Sequence, residues 1–182
     1  MQTKFISFLL LSPCTVASLQ RSSTYYVLIK GGTGYDGAVS IEVMEHCKGW
    51  AVNHLRAVRE TLRSGGRYVV QMIITTGERI DYGARLFMAA QVFPGDRLMT
   101  LEGFRRAARR ANLTLQHVEL FGTSYVRTLR EWANRLASRW EKAVVLVGER
   151  TVRKFLLYIA GCAAGFDLGA VDVGQFVLVN KD

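Results

Sequence analysis

The stretch Ala38-Val-Ser-Ile-Glu-Val-Met44, followed by Glu45 and His46, decides the fold of this chain. Its apolar and β-branched residues predict a strand. Because the stretch is too apolar to alternate cleanly, we expect it to be buried on both faces of a parallel sheet. Ligands of open α/β sheets bind at the carboxyl ends of strands. Glu45 and His46 are therefore candidate site residues, and the alternative for Glu45 is that it only caps the next helix.

A helix and a second apolar strand follow. Apolar residues on one face predict a helix over residues 51–63, and residues 67–74 predict a strand. A strand, a helix and a strand make a βαβ unit, so the two strands should run parallel. Gln71 and Ile73 would then lie near the same sheet edge as Glu45. The alternative for Gln71 is a satisfied core amide.

Three further helices and two strands are predicted downstream. Thr100 is an expected N-cap for a helix over 101–111, whose arginines form either a solvated face or a surface for phosphates and acidic lipid headgroups. Strands are expected at 113–121 and 171–179, and helices at 125–143 and 151–166. The helix at 125–143 has an apolar stripe that predicts core packing: Leu129, Trp132, Leu136 and Trp140.

Residues 1–34 differ in character from the rest. Lys4, an apolar run at 5–11 and small residues after it are typical of a secretory signal, and the run is too short to span a bilayer as a helix. The alternatives are a buried strand or a leader outside the folded unit. We therefore divide the chain into a leader, 1–34, and a domain, 35–182. The G-x-G-x-x-G spacing of glycines 32, 34 and 37 is interpreted as a turn, because no helix is predicted directly after it.

The composition excludes several classes of protein. With 182 residues, 49% of them hydrophobic, and two prolines, the chain can form a domain with a core and is not disordered. The net charge of +9 suits nucleic acid, an anionic membrane or acidic ligands. The basic residues are not interleaved with aromatics as an RNA-binding sheet requires, so we expect no nucleic acid partner. Three widely spaced cysteines predict free thiols in a reducing, cytoplasmic compartment and no zinc site.

Several segments, in order from about Tyr35 to the end, resemble the cyclopropane-fatty-acyl-phospholipid synthases and the mycolic acid cyclopropane synthases. Residues 39–46 are similar to the family's V-S-I-x-M-F-E-H strand. Residues 121–132 match F-G-x-x-Y-A-x-T-L-x-x-W, and 158–166 match Y-L-x-x-C-x-x-x-F. Three shorter matches complete the set: Gly65-Gly-Arg-Tyr-Val-Val-Gln-Met-Ile-Ile74, Phe93-Pro-Gly-Asp-Arg-Leu98 and Asp172-Val-Gly-Gln-Phe176.

The resemblance implies an α/β, Rossmann-like, S-adenosylmethionine-dependent methyltransferase fold. It also implies that the fold is incomplete, because the family's N-terminal cofactor-binding strands have no match in residues 1–34. The implied reaction transfers a methyl group to the cis double bond of a phospholipid acyl chain. Loss of a proton from the new methyl group then closes the ring of a cyclopropane fatty acid. The family uses a bound bicarbonate near that proton.

Site residues are implied position by position. Glu45, Gln71, Ile73 and Tyr125 fall on bicarbonate-binding positions, with Gln71 in place of a family histidine, and Ile41 falls on a position that touches the cofactor. Cys162 falls on a cysteine designated as catalytic. Glutamine can supply a hydrogen bond but cannot change its charge as histidine does. A thiol in an apolar helix is usually inert, so the catalytic role of Cys162 rests on the resemblance.

We expect the chain to be the C-terminal part of such an enzyme, with little affinity for S-adenosylmethionine alone. A homo-oligomer or a separate N-terminal half would supply the missing strands. The chain would act on phospholipid acyl chains at an anionic membrane surface, cytoplasmic and peripheral to the membrane, or exported if its first residues act as a signal. One alternative is a lipid or small-molecule methyltransferase without ring closure. Another is a non-catalytic lipid-binding or accessory half.

Overall fold

The computed structural model describes residues 5–8, 33–47, 49–77, 87, 92 and 98–181. Within them, five strands form one sheet in the order β1-β2-β3-β5-β4. The strands are β1 Phe5–Phe8, β2 Tyr35–Ile41, β3 Leu62–Thr75, β4 Leu113–Leu120 and β5 Val171–Asn180. The helices are α1 Ala51–Thr61, α2 Leu101–Arg110, α3 Gly122–Ala137, α4 Trp140–Val147 and α5 Glu149–Asp167, with a short 3-10 helix at Met44–His46.

The sheet is mixed. β2 runs parallel to β1 and to β3, which confirms the predicted βαβ unit. β5 runs antiparallel to β4. The Asn180 side chain donates to the carbonyl of Leu62, and Gln175 donates to Gln71 further along β3. Because these contacts run in opposite order along the two strands, β5 is also antiparallel to β3. The last strand of the chain therefore lies between two strands that are made before it.

The chain separates into two compact units. The first comprises Met1–Ile74, Gly95–Leu120 and Val173–Asp182, and its core includes Phe104 of α2 packed edge-on against Phe176 of β5, with ring centroids 5.0 Å apart. The second comprises Thr75–Pro94 and Phe121–Asp172. In it, α3 packs against α5, and the buried residues of α5 recur every seven positions: Val152, Ile159 and Phe166.

The predicted strand at 38–44 is wrong in its last three residues. β2 ends at Ile41, and Glu42 has a positive φ of 55°, a left-handed conformation that interrupts the extended backbone. The chain then turns into the 3-10 helix, so Glu45 and His46 follow the strand end by a turn. Burial on both faces is also incomplete, because Ile41 is 57% exposed.

Two helix boundaries also differ from expectation. α1 ends at Thr61 because the backbone is already extended at Leu62, where β3 begins. The helix expected at 125–143 is two helices, with a break at Ser138 and Arg139 between α3 and α4. Its apolar stripe is only partly core, since Trp132 is half exposed.

The strand predicted at 67–74 starts five residues earlier, because β3 already begins at Leu62. The other predicted elements downstream are confirmed to within two residues at each end. Thr100 caps α2, because its Oγ1 accepts a hydrogen bond from the Gly103 N–H at 3.0 Å. Of the buried-strand alternative for the first residues, the strand itself is confirmed over Phe5–Phe8. Most of residues 1–34 and all but the last residue of the motif at 93–98 lie outside the described residues. None of the helices in the described ranges combines the length and the apolar character needed to cross a bilayer.

Candidate functional site

The candidate site in the first unit centres on Glu45, beside the carboxyl ends of β2 and β3. Its side chain is held by the backbone N–H of Ile73, which donates to Oε1. Glu45 is only 7% exposed, and Oε2 has no hydrogen-bond partner among the described residues. A buried polar atom without a partner carries a large desolvation cost. The geometry therefore confirms that Glu45 and Ile73 lie together and leaves one buried carboxyl oxygen without a partner among the described residues.

Burial raises the pKa of Glu45 to about 8. The hydrogen bond from Ile73 opposes this rise, and the negative charge of Glu42 adds to it. At neutral pH the Glu45 carboxyl is therefore mainly protonated. A protonated carboxyl carries an O–H donor, whereas a carboxylate only accepts hydrogen bonds. Glu45 can therefore donate a hydrogen bond to an anion without adding a negative charge of its own.

Gln71 belongs to a chain of side-chain hydrogen bonds that joins β3 to β5 and to Glu42, the residue that follows β2. Its Nε2 donates to Glu42 Oε1 at 3.2 Å, and its Oε1 accepts from Gln175 Nε2 at 3.0 Å. Gln71 is half-buried and Gln175 is exposed. The alternative of a satisfied core amide therefore holds only in part: both amide atoms are hydrogen-bonded, but Gln71 is not in the core. The same contacts fix the direction in which its amide points.

A buried polar cluster lies within the same unit. The Tyr68 hydroxyl bonds Ser40 Oγ at 2.6 Å and His54 Nε2 at 3.0 Å. Burial lowers the pKa of His54 to about 4 and raises that of Tyr68. Burial, and then the charge of Glu45, raise the pKa of Cys47 to about 12. These groups stay neutral at neutral pH, so they form a fixed hydrogen-bonded frame between β2, β3 and α1.

Tyr125 and Cys162 belong to the second unit. Tyr125 lies in the first turn of α3, half-buried, with its ring centroid 5.4 Å from that of Phe166. Burial raises the pKa of the Cys162 thiol, and a hydrogen bond with Tyr158 opposes the rise. Cys162 is therefore a protonated thiol at neutral pH and not a ready nucleophile. That Tyr125 joins Glu45 and Gln71 in one site stays a prediction.

The sequence reading missed two residues of the site. Glu42 stands at the variable position of the strand motif, and its carboxylate lies close enough to Glu45 to raise its pKa. Gln175 lies in the closing-strand motif, and only the insertion of β5 beside β3 brings it to Gln71. A second carboxylate three residues before Glu45 was a usable signal, whereas the sequence carried no signal for Gln175. No group of metal-binding side chains occurs in the part of the chain that the structure describes.

Comparisons with known proteins identify a matching family and several relatives of this chain. A family model described as mycolic acid cyclopropane synthetase matches residues 21–176, a match that begins ahead of Tyr35. The S-adenosylmethionine-dependent methyltransferase UmaA of Mycobacterium tuberculosis is 34% identical over 94 residues, which is 52% of this chain and 33% of UmaA. A probable fatty acid methyltransferase of Pseudomonas putida is 31% identical over 151 residues, which is 80% of this chain and 38% of that protein.

A solved structure of the mycolic acid cyclopropane synthase CmaA1, complexed with SAH and CTAB, superposes with a TM-score of 0.77 at 23% identity. The match covers 82% of this chain and 57% of that one. It confirms the predicted α/β methyltransferase fold, over part of its length. The chain spans between a third and two fifths of the curated relatives named above.

Proposed function

This chain belongs to the mycolic acid cyclopropane synthetase family, and we propose that it takes part in S-adenosylmethionine-dependent methyl transfer to the cis double bond of a phospholipid acyl chain, with closure of a cyclopropane ring. The fatty acid methyltransferase relative supports an acyl substrate. The SAH in the CmaA1 complex supports S-adenosylmethionine as the methyl donor, and CTAB, a detergent with one long alkyl chain, supports an acyl-chain site. The ring-closing part of the proposal is carried by the buried, unsatisfied carboxyl of Glu45.

The reaction sets two demands on the site. Breaking the sulfur–methyl bond and forming a carbon–carbon bond leaves a positive charge on the neighbouring carbon of the former double bond. Ring closure then forms the second carbon–carbon bond and releases one proton from the added methyl group. When bound, S-adenosylmethionine supplies the methyl group and bicarbonate accepts that proton. The protein must therefore hold an anionic base in a site that contains little water.

Glu45 fits the task of holding that base. An ionised glutamate would repel bicarbonate, but the burial of Glu45 keeps its carboxyl protonated at neutral pH. The O–H group can then donate to a bicarbonate oxygen. The carboxyl oxygen that has no partner among the described residues would thus form a hydrogen bond. The Ile73 N–H, bound to the other oxygen, fixes the orientation of the carboxyl. Glu45 is therefore a donor and a positioning group and is not itself the base.

Gln71 would serve as a second polar contact to the bicarbonate. Its amide is held at both ends by Glu42 and Gln175, so its direction is set before a ligand binds. Unlike the family's histidine, it cannot take up a proton near neutral pH. The proton that leaves the methyl group therefore cannot be passed to residue 71 and has to leave with the base.

The remaining predicted site residues have more modest roles in this proposal. Ile41 offers an exposed apolar side chain at the end of β2, where the cofactor of an open α/β sheet lies. Tyr125 would add a phenol hydrogen bond to the bicarbonate. Cys162 would line the acyl-chain site as an apolar side chain, because its thiol is protonated and alkene methylation requires no thiolate nucleophile. Cys47 and Cys162 are free thiols, which suits a cytoplasmic chain peripheral to the membrane.

Product analysis tests this proposal. The purified chain is incubated with S-adenosylmethionine, bicarbonate and vesicles that contain cis-unsaturated phospholipid, and the acyl chains are analysed by gas chromatography and mass spectrometry. We expect cyclopropane acyl chains, their loss in Glu45→Leu, which has no donor, and their retention in Glu45→Gln, whose amide can still donate to bicarbonate. Glu60→Gln, an exposed glutamate on α1, is the matched control and should keep the wild-type yield.

Three other results would contradict the proposal in different ways. Methylated chains without a ring would show a methyltransferase that does not close cyclopropanes. Equal yields from Glu45→Leu and wild type would remove Glu45 from the ring-closing step. No product from a folded chain, together with no calorimetric binding of S-adenosylmethionine, would favour an accessory, non-catalytic half.

A further inference from the structure

The second unit exposes an apolar run at the corner where α4 ends and α5 begins. Val145, Leu146 and Val147 are 86%, 72% and 55% exposed, and no side chain of α4 is buried. Gly148, with a positive φ of 80°, makes the turn into α5. Single exposed apolar residues are common on proteins. Three consecutive ones at the end of a helix form a patch that favours an interaction surface.

Basic side chains surround this run. We call residues 139–154 the α4–α5 corner. Its five basic residues are Arg139, Lys142, Arg150, Arg153 and Lys154, and its two acidic residues are Glu141 and Glu149. Arg153 binds Glu149 with 2.6 Å between Nη2 and Oε1, and it lies over the Trp140 ring at 5.2 Å. Arg139, Lys142 and Arg150 enter no ion pair with another described residue. The corner therefore combines exposed apolar side chains with cations that have no anionic partner.

We propose that the α4–α5 corner docks the chain on an anionic lipid bilayer. Val145, Leu146 and Val147 would enter the boundary between headgroups and acyl chains, and Lys142 and Arg150 would meet lipid phosphates. Apolar side chains beside basic ones are the pattern of interfacial membrane binding. A second copy of the chain would bring the same positive charge to the patch, so charge complementarity favours an anionic surface over self-association.

The dimensions of α4 limit the mode of binding. Eight residues make a helix of about 12 Å, whereas the hydrocarbon core of a bilayer is about 30 Å thick. The corner can therefore lie in the interface but cannot cross it. Docking needs neither cofactor nor turnover, so this inference goes beyond the proposed methyl transfer and can be tested without it.

Vesicle co-sedimentation tests the proposal with the full chain. Vesicles of phosphatidylcholine and phosphatidylglycerol in equal parts should bind the wild-type chain, and vesicles of phosphatidylcholine alone should bind it much more weakly. The double variant Val145→Ser/Leu146→Ser should lower the partition coefficient about 10-fold, because it removes most of the apolar contact. Lys142→Gln and Arg150→Gln should each lower it about 5-fold. All four positions are exposed, so circular dichroism should report an unchanged fold.

Two matched controls locate the surface. Leu168 is 80% exposed but follows the end of α5, about 27 Å along the helix from Arg150, so Leu168→Ser should leave binding unchanged. Arg105→Gln on α2 removes an exposed charge in the first unit and should also leave it nearly unchanged. An equal loss from either control would show a diffuse effect of apolar surface or net charge and would overturn the assignment to the corner.

Other outcomes also overturn the proposal. Equal binding to neutral and anionic vesicles would remove the role of the cations, and no binding by a folded chain would remove the docking surface. Self-association in sedimentation velocity that Leu146→Ser abolishes would make a second copy the occupant. The proposed function can fail separately from the docking. Vesicle binding without methyl transfer would contradict the proposed function and support the docking. Methylation of a detergent-dissolved substrate without vesicle binding would contradict only the docking.

Discussion

Glutamine at position 45 should change how the stability of the chain depends on pH. Burial raises the pKa of Glu45 from 4.5 to about 8, whereas the unfolded chain has a carboxyl of ordinary pKa. Between about pH 4.5 and pH 8 the folded chain therefore binds more protons than the unfolded chain, and its free energy of unfolding falls as the pH rises. Since one pKa unit corresponds to about 1.4 kcal/mol, the loss above pH 8 is at most about 5 kcal/mol.

Chemical unfolding followed by circular dichroism can measure this effect. Glu45→Gln keeps an oxygen for the Ile73 N–H and never ionises, so the variant should lack the decline. At about pH 8.5 it should gain about 3–5 kcal/mol over the wild type, relative to the difference between the two proteins at about pH 5. His54, with a pKa near 4, makes stability rise between about pH 4 and pH 6.5, but it does so equally in both proteins.

The exposed Glu60→Gln variant is the control and should follow the wild-type curve. If Glu45→Gln differs from the wild type by the same amount at both pH values, Glu45 ionises normally in the folded chain. It could then not donate to bicarbonate at neutral pH, and the reasoning about the site would be refuted. A variant that is much less stable at both pH values would still report on this point, because only the difference between the two pH values matters.

Four further substitutions test individual contacts. Tyr68→Phe removes the hydroxyl shared by the buried polar cluster and should lower the free energy of unfolding by about 1–3 kcal/mol; no loss in urea titrations would show that the cluster is not stabilising. Gly122→Ala places a Cβ 2.5 Å from Asp172 Oδ1 and should cost about 1–3 kcal/mol, whereas an unchanged melting temperature would contradict that crowding. Thr100→Ala should cost about 1 kcal/mol through loss of the helix cap, measured in the same titrations. Gln175→Ala should reduce the cyclopropane yield without changing the affinity for S-adenosylmethionine, and an unchanged yield would remove its positioning role.

Much of the first unit could be predicted because its signals are local. The apolar runs of β2 and β3 and the helical periodicity of α1 are each contained in about ten residues. Because a helix connects β2 to β3, the two strands were predicted to pair in parallel. This pairing brings Glu45 close to Ile73. The N-cap of α2 is a similar local signal, since a single threonine hydroxyl satisfies a helix N–H.

The features that the sequence did not reveal depend on tertiary structure. The positive φ of Glu42 ends β2 early, and a single charged residue in an apolar run does not by itself predict a left-handed backbone. The break at Ser138 and Arg139 is hidden because the helices on both sides of it pack against α5, which keeps the apolar spacing nearly continuous. Gln175 joins the site only through the pairing of β5 with β3. The protonation of Glu45 follows from burial, which no local pattern reports.

The place of β5 has a consequence for biosynthesis. A ribosome releases β3 and β4 before β5, yet β5 is the strand that lies between them in the finished sheet. More than fifty residues, from Phe121 to Asp172, separate the end of β4 from the part of β5 in the first unit. During translation the nascent chain therefore carries β4 without its partner strand, and β3 with an open edge, until β5 emerges. Such edges favour pairing with other chains, so premature termination or slow release near Val173 should send the product towards chaperones and inclusion bodies.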